Sequence, residues 1–220
     1  MPNSYNLNYG YGTSAFDRKY VLNVLGTYAE PFGKNPGIIN HLIRDWSFSP
    51  IFAWYSGLPL KVGVGSSQEF GQTSSATASA VALAPDTFGN SVHSGVTGDT
   101  ATNVATSGNP AKGGTGLNLF ANPTAVYQSY APILLTQVTN GNFSGNLRGM
   151  ARWNLDLDIA RKLQWTERVS STLSLQMFNV FNHVQFADPT LSLQSPQTFG
   201  VLGTQLNQPR VLELGLHIDF

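Results

Sequence analysis

The last eleven residues of the chain, 210–220, alternate between apolar and mostly polar side chains without a break. From Leu212 to Phe220 every second residue is Leu, Ile or Phe, and the residues between them are Glu, Gly, His and Asp. A period of two is the pattern of a β-strand with one apolar and one polar face. Because a tilted strand of about 9–11 residues spans a bilayer, this segment predicts a membrane-spanning strand.

The same alternation recurs upstream. It predicts strands at about 18–28, 46–64, 151–162, 168–179 and 210–220. Pro50 lies inside the second strand and lacks a backbone donor, so we expect a bulge or strained pairing there. A turn at Ser56-Gly57 separates the main part of this strand from a shorter extended piece at Leu58–Val64.

The clearest of these upstream patterns begins at Trp153. The polar residues of this segment are Asn154, Asp156 and Asp158, and Gln176 lies on the polar face of the next strand. In a transmembrane barrel such residues line the wet lumen, while the alternate residues face lipid. The predicted lumen-facing residues are therefore Asn154, Asp156, Asp158 and Gln176, and the predicted lipid-facing residues are Trp153, Leu155, Leu157 and Ile159.

Composition agrees with a barrel in the cell outer membrane. Only 11% of the residues are charged, against about 25% in an ordinary soluble domain. The net charge is zero, which gives no electrostatic basis for nucleic-acid binding. The chain has no cysteine, so disulfides and thiolate metal sites are excluded. No run of about 18 apolar residues predicts a transmembrane helix.

A stretch at about 65–150 differs from the rest. It is rich in Ser, Thr, Ala, Gly and Asn, and its apolar residues follow no period. Barrels carry long extracellular loops and short periplasmic turns, so we predict one long, irregular extracellular loop. Its first part, Gly65–Lys112, is expected to be mobile. Trp46, Trp54, Trp153 and Tyr28 lie near strand ends, as in the aromatic girdle of a barrel, although aromatic residues also favour strands in general.

Catalytic and metal-binding signals are weak. We find no nucleophile elbow or phosphate loop, and the four histidines show no ligand spacing. Asp156 and Asp158 share a face and could form a carboxylate pair for glycoside hydrolysis, but a wet lumen explains them more simply. We therefore predict no enzyme, no catalytic residue, no metal and no cofactor. Two alternatives stay open: a soluble β-sandwich that acts as a carbohydrate-binding or adhesin module, and a carbohydrate-active enzyme.

The chain begins Met1-Pro-Asn-Ser without a basic segment and an apolar core, so no signal peptide is recognisable. An outer-membrane protein must be exported. We therefore expect the sequence to be a fragment of a longer chain.

Several motifs in fixed order resemble one family. They are Phe16-Asp-Arg-Lys-Tyr20, Glu30-Pro-Phe-Gly33, Asp45-Trp46, Tyr55-Ser-Gly-Leu-Pro59, Gly145-Asn-Leu-Arg-Gly-Met-Ala-Arg-Trp-Asn-Leu-Asp-Leu-Asp-Ile-Ala-Arg-Lys-Leu163, Trp165-Thr-Glu-Arg-Val169 and Met177-Phe-Asn-Val-Phe-Asn-His-Val-Gln-Phe186. Together they resemble the C-terminal barrel of TonB-dependent receptors, and most of all the Oar-like group common in Acidobacteria.

That resemblance implies an antiparallel up-and-down sheet forming the C-terminal part of a large, plugged transmembrane barrel of the 22-stranded class. The implied function is uptake of a bulky substrate. The implied partners are membrane lipid, the remainder of the barrel and its plug, a TonB-type energy-coupling protein and the outer-membrane assembly machinery. Leu216, Ile218 and Phe220 then resemble the C-terminal signal read by that machinery.

Overall fold

The computed structural model describes residues 13–30, 44–65, 78–83, 91–132 and 147–220. The described strands are β1 (Val21–Leu25), β2 (Tyr28–Glu30), β3 (Trp46–Tyr55), β4 (Val62–Gly65), β5 (Ala78–Ser79), β6 (Val81–Ala82), β7 (His93–Ser94), β8 (Leu117–Asn118), β9 (Tyr130–Ala131), β10 (Arg152–Gln164), β11 (Ser170–Phe178), β12 (Leu191–Ser192) and β13 (Val211–Asp219). A short helix, α1, covers Pro123–Gln128, and 3-10 turns cover Thr106–Gly108, Pro110–Lys112 and Pro196–Thr198.

The chain divides into two compact units. The sheet unit consists of Tyr20–Tyr55, Arg152–Gln185 and Leu206–Phe220. The inserted unit consists of Met1–Lys19, Ser56–Ala151 and Phe186–Gln205. Most of the inserted unit therefore comes from the chain between β3 and β10 and the chain between β11 and β13.

The sheet unit is one antiparallel sheet in the order β1-β3-β10-β11-β13, with β2 also paired to β3. This confirms the predicted all-β, antiparallel, up-and-down architecture. Val21 pairs with Tyr55, and Tyr28 pairs with Phe48. Both pairs belong to the same register, so β1 and β2 are two parts of one interrupted edge strand.

Pro50, where we expected a bulge or strained pairing, lies opposite that interruption. The β3–β10 register runs through Leu157↔Pro50 without a shift, so the predicted bulge is absent. On the other side of β3, the Gly26 N–H donates to the Pro50 carbonyl at 3.3 Å. The return bond would need a Pro50 N–H, which proline lacks. The edge strand therefore opens between β1 and β2, opposite Pro50.

The predicted strand at 46–64 is too long. β3 ends at Tyr55, and the extended piece that follows belongs to the inserted unit. There, β4 pairs in parallel with β12 and antiparallel with β5. The alternation detected both extended pieces, but periodicity does not report which sheet a strand joins.

The inserted unit is sparse in regular structure but has a buried apolar core, which the absence of a period in its sequence did not indicate. Its buried apolar residues are Val62, Val64, Ala80, Val104, Ala105, Leu119, Phe120, Val126, Tyr130, Leu147, Met150, Leu191, Phe199 and Leu202. Phe120 and Phe199 stack with ring centroids 5.9 Å apart, and Tyr127 meets Phe199 edge-on at 5.3 Å. Parts of the predicted mobile segment Gly65–Lys112, namely 66–77 and 84–90, lie outside the described residues.

The buried Asn118 links the two chain segments that form this core. The Asn118 amide donates to the Phe199 carbonyl at 3.0 Å, and its side-chain oxygen accepts from the Phe120 N–H at 2.9 Å. Gly200 next to it has φ +72, and a Cβ there would lie 2.5 Å from the Asn118 oxygen. The chain can pass this close only because position 200 is glycine.

Candidate functional site: the two faces of the sheet

The register of the sheet collects most of the large apolar residues on one side, while Val21, Leu25, Ile51, Tyr55, Phe178 and Val211 lie on the other. Ile159, for example, pairs with Phe48 on β3 and with Leu175 on β11, and Leu175 pairs with Leu214 on β13. Because successive side chains alternate between faces, directly paired residues share a face. The set, called here the apolar face, comprises Leu22, Val24, Tyr28, Trp46, Phe48, Phe52, Trp54, Trp153, Leu155, Leu157, Ile159, Leu173, Leu175, Met177, Leu212, Leu214, Leu216 and Ile218.

Much of the apolar face is open. Leu214 is 76% exposed and Leu216 is 66% exposed, and Leu22 and Val24 at the other edge are about half exposed. A continuous exposed apolar surface of this breadth is rare on soluble proteins and marks a surface that contacts a membrane or a partner.

Aromatic residues lie at both ends of the apolar face. At one end Trp54 pairs with Trp153, and the Trp153 ring lies 6.4 Å from that of Phe52. At the other end Trp46 stacks with Phe48 at 6.4 Å. Trp46 and Trp54 are eight residues apart, or about 26 Å along a strand. A tilt of about 40° reduces this to about 20 Å, close to the apolar band of about 25 Å in outer-membrane barrels.

The four predicted lumen residues share the opposite face. Asp158 pairs with Gln176 on β11 and with Ser49 on β3. Asn154 and Asp156 lie on the same side of β10, since they are four and two residues from Asp158, respectively. The structure thus brings all four together on one polar face.

Asp156 has a structural task on this face. One of its carboxylate oxygens, Oδ1, accepts hydrogen bonds from the Asn154 side-chain amide at 2.7 Å and from the Asn179 backbone N–H at 2.8 Å. Asn179 directly follows β11, so Asp156 ties the end of β11 to β10. These bonds give the Asp156 carboxylate a structural role at the end of β11.

Sequence reasoning missed a cluster of asparagines where the chain leaves β11. The Asn179 amide donates to the carbonyls of His183 and Gln208 at 3.2 and 3.1 Å, and its side-chain oxygen accepts from the His183 N–H at 2.9 Å. Asn182 accepts from the Arg210 N–H at 3.0 Å. Asn179 and Asn182 have φ +52 and +49, a conformation that asparagine tolerates better than most residues. The Asn-x-x-Asn spacing was the available signal.

The loop held by these asparagines also contacts the aromatic end of the apolar face. The His183 ring lies 4.4 Å from that of Trp153, and Phe181 meets Trp153 at 5.7 Å. The Gln185 side-chain amide donates to the Trp153 carbonyl. These contacts fix the position of Trp153 at the end of β10.

Three of the resemblance motifs meet in the inserted unit. The Arg148 guanidinium forms an ion pair with Asp17 and donates to the Asp17 and Gly57 carbonyls at 3.0 and 3.3 Å. The Gly149 N–H donates to the Leu58 carbonyl at 2.8 Å. A Cβ on Gly57 would lie 1.7 Å from the Gly149 carbonyl oxygen, so only glycine fits there. These motif residues hold the backbone segments that follow β3 and precede β10 in close contact.

Of the three predicted C-terminal signal residues, two lie in β13 and one lies beyond its end. Leu216 and Ile218 pair with Leu173 and Ser171 on the apolar face. Phe220 lies beyond the end of β13 and is fully exposed.

The inserted unit carries an open polar cleft of about 590 Å³ between residues 92–99 and 121–124. Asp99 on its rim accepts hydrogen bonds from the Thr102 hydroxyl at 2.7 Å and the Ala101 N–H at 2.9 Å. These bonds favour the charged carboxylate and lower the pKa of Asp99. Asp99 therefore shapes its own turn. His93, also in the cleft, lies 3.3 Å from the Ser91 hydroxyl.

Within the described ranges, no group of three or more His, Asp or Glu side chains could hold a metal ion. None of the helices that the structure describes is long and apolar enough to cross a membrane.

An antiparallel sheet with one exposed apolar face bounded by aromatic residues, and one polar face, is the wall of a transmembrane β-barrel. A family model described as outer membrane beta barrel domain matches residues 1–213, and the chain belongs to this family. The protein is therefore located in the outer membrane, and the soluble sandwich is set aside. Neither the curated proteins nor the solved structures include a significant match to the chain.

The asparagine cluster yields a prediction. Asn179→Ala removes three side-chain hydrogen bonds and places alanine at positive φ, so it should destabilise the folded protein by roughly 2–4 kcal/mol. The measurement is the shift in the urea midpoint of the membrane-inserted protein. Asn154→Ala is the control, because that side chain donates a single bond to Asp156, and its cost should be about 1 kcal/mol. An equal loss from both variants would show that Asn179 has no special role.

Proposed function

We propose that the chain forms the C-terminal wall of an Oar-like, TonB-dependent outer-membrane receptor that takes up a bulky substrate. In this proposal the apolar face contacts lipid and the polar face, with Asn154, Asp156, Asp158 and Gln176, lines the lumen. The observation that carries it is that one register in all the paired strands of the sheet gathers most of the large apolar residues on one face and most of the polar residues on the other. The family and the resemblance of the motifs support it further.

The lengths of the connections support an orientation. Residues 165–169 form a short turn between β10 and β11, and Ser170 at that end of β11 pairs with Asp219 near the chain terminus. The two long connections, 56–151 and 179–210, both join strands at their opposite ends. Since barrels have short periplasmic turns and long extracellular loops, we assign the long connections to the cell exterior. The inserted unit would then be the part that first meets the substrate.

Uptake through a plugged barrel requires energy coupling. The proposed partners are therefore the remainder of the barrel and its plug, a TonB-type protein and, during biogenesis, the outer-membrane assembly machinery. The test is growth of cells carrying the full-length protein, with and without TonB, on maltooligosaccharides, oligopeptides or ferric chelates as the limiting nutrient. A growth gain that requires both the protein and TonB supports uptake. A gain that is unchanged without TonB contradicts the proposed coupling.

We further propose that Asp156 and Asp158 have no catalytic role. Asp156→Asn keeps a side-chain oxygen that can accept from Asn154 and Asn179, so we expect uptake and folding to be retained. Loss of a glycoside-cleaving activity in this variant, with folding intact, would instead favour the carbohydrate-active alternative.

The facing of the sheet can be tested directly, because the chain has no cysteine and each introduced thiol reports on one position. Cysteines at Asn154, Asp158 and Gln176 should react with a water-soluble maleimide in membranes. Cysteines at Leu155, Ile159 and Leu175, their neighbours on the apolar face, should react at least about tenfold more slowly, because a thiol in lipid rarely ionises. Fast labelling of the second set, or equal labelling of both, would overturn the proposed facing.

Phe220 provides a test of assembly. Its side chain is fully exposed beyond β13, so deleting it should change the stability of already folded protein little. If Leu216, Ile218 and Phe220 form the assembly signal, the deletion should lower the amount of heat-modifiable, membrane-inserted protein several-fold. Phe220→Tyr, which keeps the aromatic ring, is the control. Equal insertion of the deletion variant and the parent would exclude the assembly role.

A further inference from the structure

Arg161 is an exception on the apolar face. It pairs with Trp46 on β3 and with Leu173 on β11, so its side chain belongs to the row of large apolar residues. Among the described strands of the sheet it is the one basic residue on this side. A charged residue in lipid is costly unless its head reaches the interface or a partner.

The guanidinium of Arg161 has a defined position. It lies 5.5 Å from the centroid of the Trp46 ring, within the range of a cation–π interaction. The contact holds the cation beside an aromatic ring one row from the short-turn end of the apolar face.

A second tryptophan lies at the same end of the sheet. Trp165, in the short turn after β10, is 66% exposed and donates from its indole nitrogen to the Ser171 hydroxyl at 2.7 Å. Ser171 occupies the row next to Arg161, since it pairs with Leu163 two residues further along β10. Trp46, Arg161 and Trp165 thus form a basic aromatic belt at the short-turn end.

The opposite end of the apolar face differs. Its last row is formed by Leu22, Trp54 and Trp153, with Phe181 and His183 against Trp153. The described strands place no lysine or arginine in that row. The two membrane boundaries of the sheet are therefore chemically distinct.

We propose that Arg161 and Trp46 form a binding site for the phosphate group of a phospholipid in the periplasmic leaflet. The inference rests on the proposed orientation, which puts the short-turn end at the periplasm. Tryptophan and arginine are suited to the headgroup level, where an indole lies partly in apolar and partly in polar surroundings and an arginine extends its head from an apolar stem. A phosphodiester supplies the negative charge and paired oxygens that a guanidinium binds with two parallel hydrogen bonds.

Glu30 is the backbone register partner of Trp46 on the far side of β3 from Arg161. Glu30→Gln therefore tests whether lipid binding depends on that residue as well.

The test uses the full-length protein purified folded in a non-ionic detergent and supplied with dioleoylphosphatidylglycerol. Retained lipid is counted by native mass spectrometry. We expect Arg161→Gln to weaken phosphatidylglycerol binding about tenfold, the size of one charge-assisted contact, and Arg161→Lys to weaken it less. Lys162→Gln is the matched control, because Lys162 is the next residue, is exposed and lies on the opposite face. It should leave lipid binding unchanged.

Three further measurements test how much the lipid phosphate, the acyl chains and Glu30 each contribute to binding. Dioleoylglycerol, which has the same acyl chains without phosphate, should be retained weakly by parent and variants alike. Inorganic phosphate at millimolar concentration should not displace the phospholipid. Glu30→Gln should bind at least as well as the parent.

Equal phosphatidylglycerol binding by the parent, Arg161→Gln and Arg161→Lys, each confirmed as folded by heat modifiability, would overturn the site. If cysteine labelling supports the facing but Arg161 variants bind normally, this inference alone fails. If the labelling places the apolar face in water, the proposed function fails with it.

Discussion

The unbroken antiparallel register of the sheet is the constraint on which the other features depend. Strands β3 and β10 are separated by 96 residues of chain, yet Trp54 meets Trp153 and Phe48 meets Ile159 without a shift. A slip of one residue would move every apolar side chain of a strand to the polar face. The amphipathic wall therefore exists only because four ladders keep their registers along their whole length, including the ladder that passes Pro50.

Pro50 shows how a local defect is confined. The side of Pro50 that lacks an N–H donor faces the edge strand formed by β1 and β2. One backbone hydrogen bond is therefore lost there, opposite Gly26. The ladder to β10 is untouched, because Pro50 and Leu157 face each other without needing that donor. The outer edges of β1 and β13 have no partner strand among the described residues. Lipid does not tolerate unpaired backbone, so in the proposed receptor these edges pair with the remainder of the barrel.

The period of two in the sequence predicted the strands of the membrane-spanning sheet, but no period predicted the core of the inserted unit. A strand with one buried face repeats every two residues, so β10, β11 and β13 can be read from the sequence. The core of the inserted unit brings Leu119 and Phe120 against Phe199 and Leu202, which lie about 80 residues away in a separate connection. Short turns and two-residue strands place these side chains individually. No period links them, and their burial depends on long-range contacts such as that of Asn118 with Phe199.

The residues of the polar face could also be predicted from the period of two, whereas the hydrogen bonds that hold them in place could not. Alternation along β10 placed Asn154, Asp156 and Asp158 together, and the register added Gln176. That Asp156 holds the Asn179 backbone could be found only from the structure, because it depends on where the chain turns after β11. The contacts among the receptor-like motifs were likewise visible only in the structure: Arg148 forms an ion pair with Asp17, and the backbones of Gly57 and Gly149 lie in close contact.

These supports explain how one chain can combine a regular wall with irregular connections. Asn179 and Asn182 satisfy backbone groups where β11 ends and the approach to β13 begins, and Arg148 does so beside the entry to β10. Backbone groups that leave a ladder need new partners, and side chains supply them at these places. The inserted unit then has its own core, so its sequence is free of the period of two that lipid imposes on the wall. In the proposed receptor, residues of the inserted unit that contact a substrate could therefore vary without disturbing the register on which the membrane-spanning sheet depends.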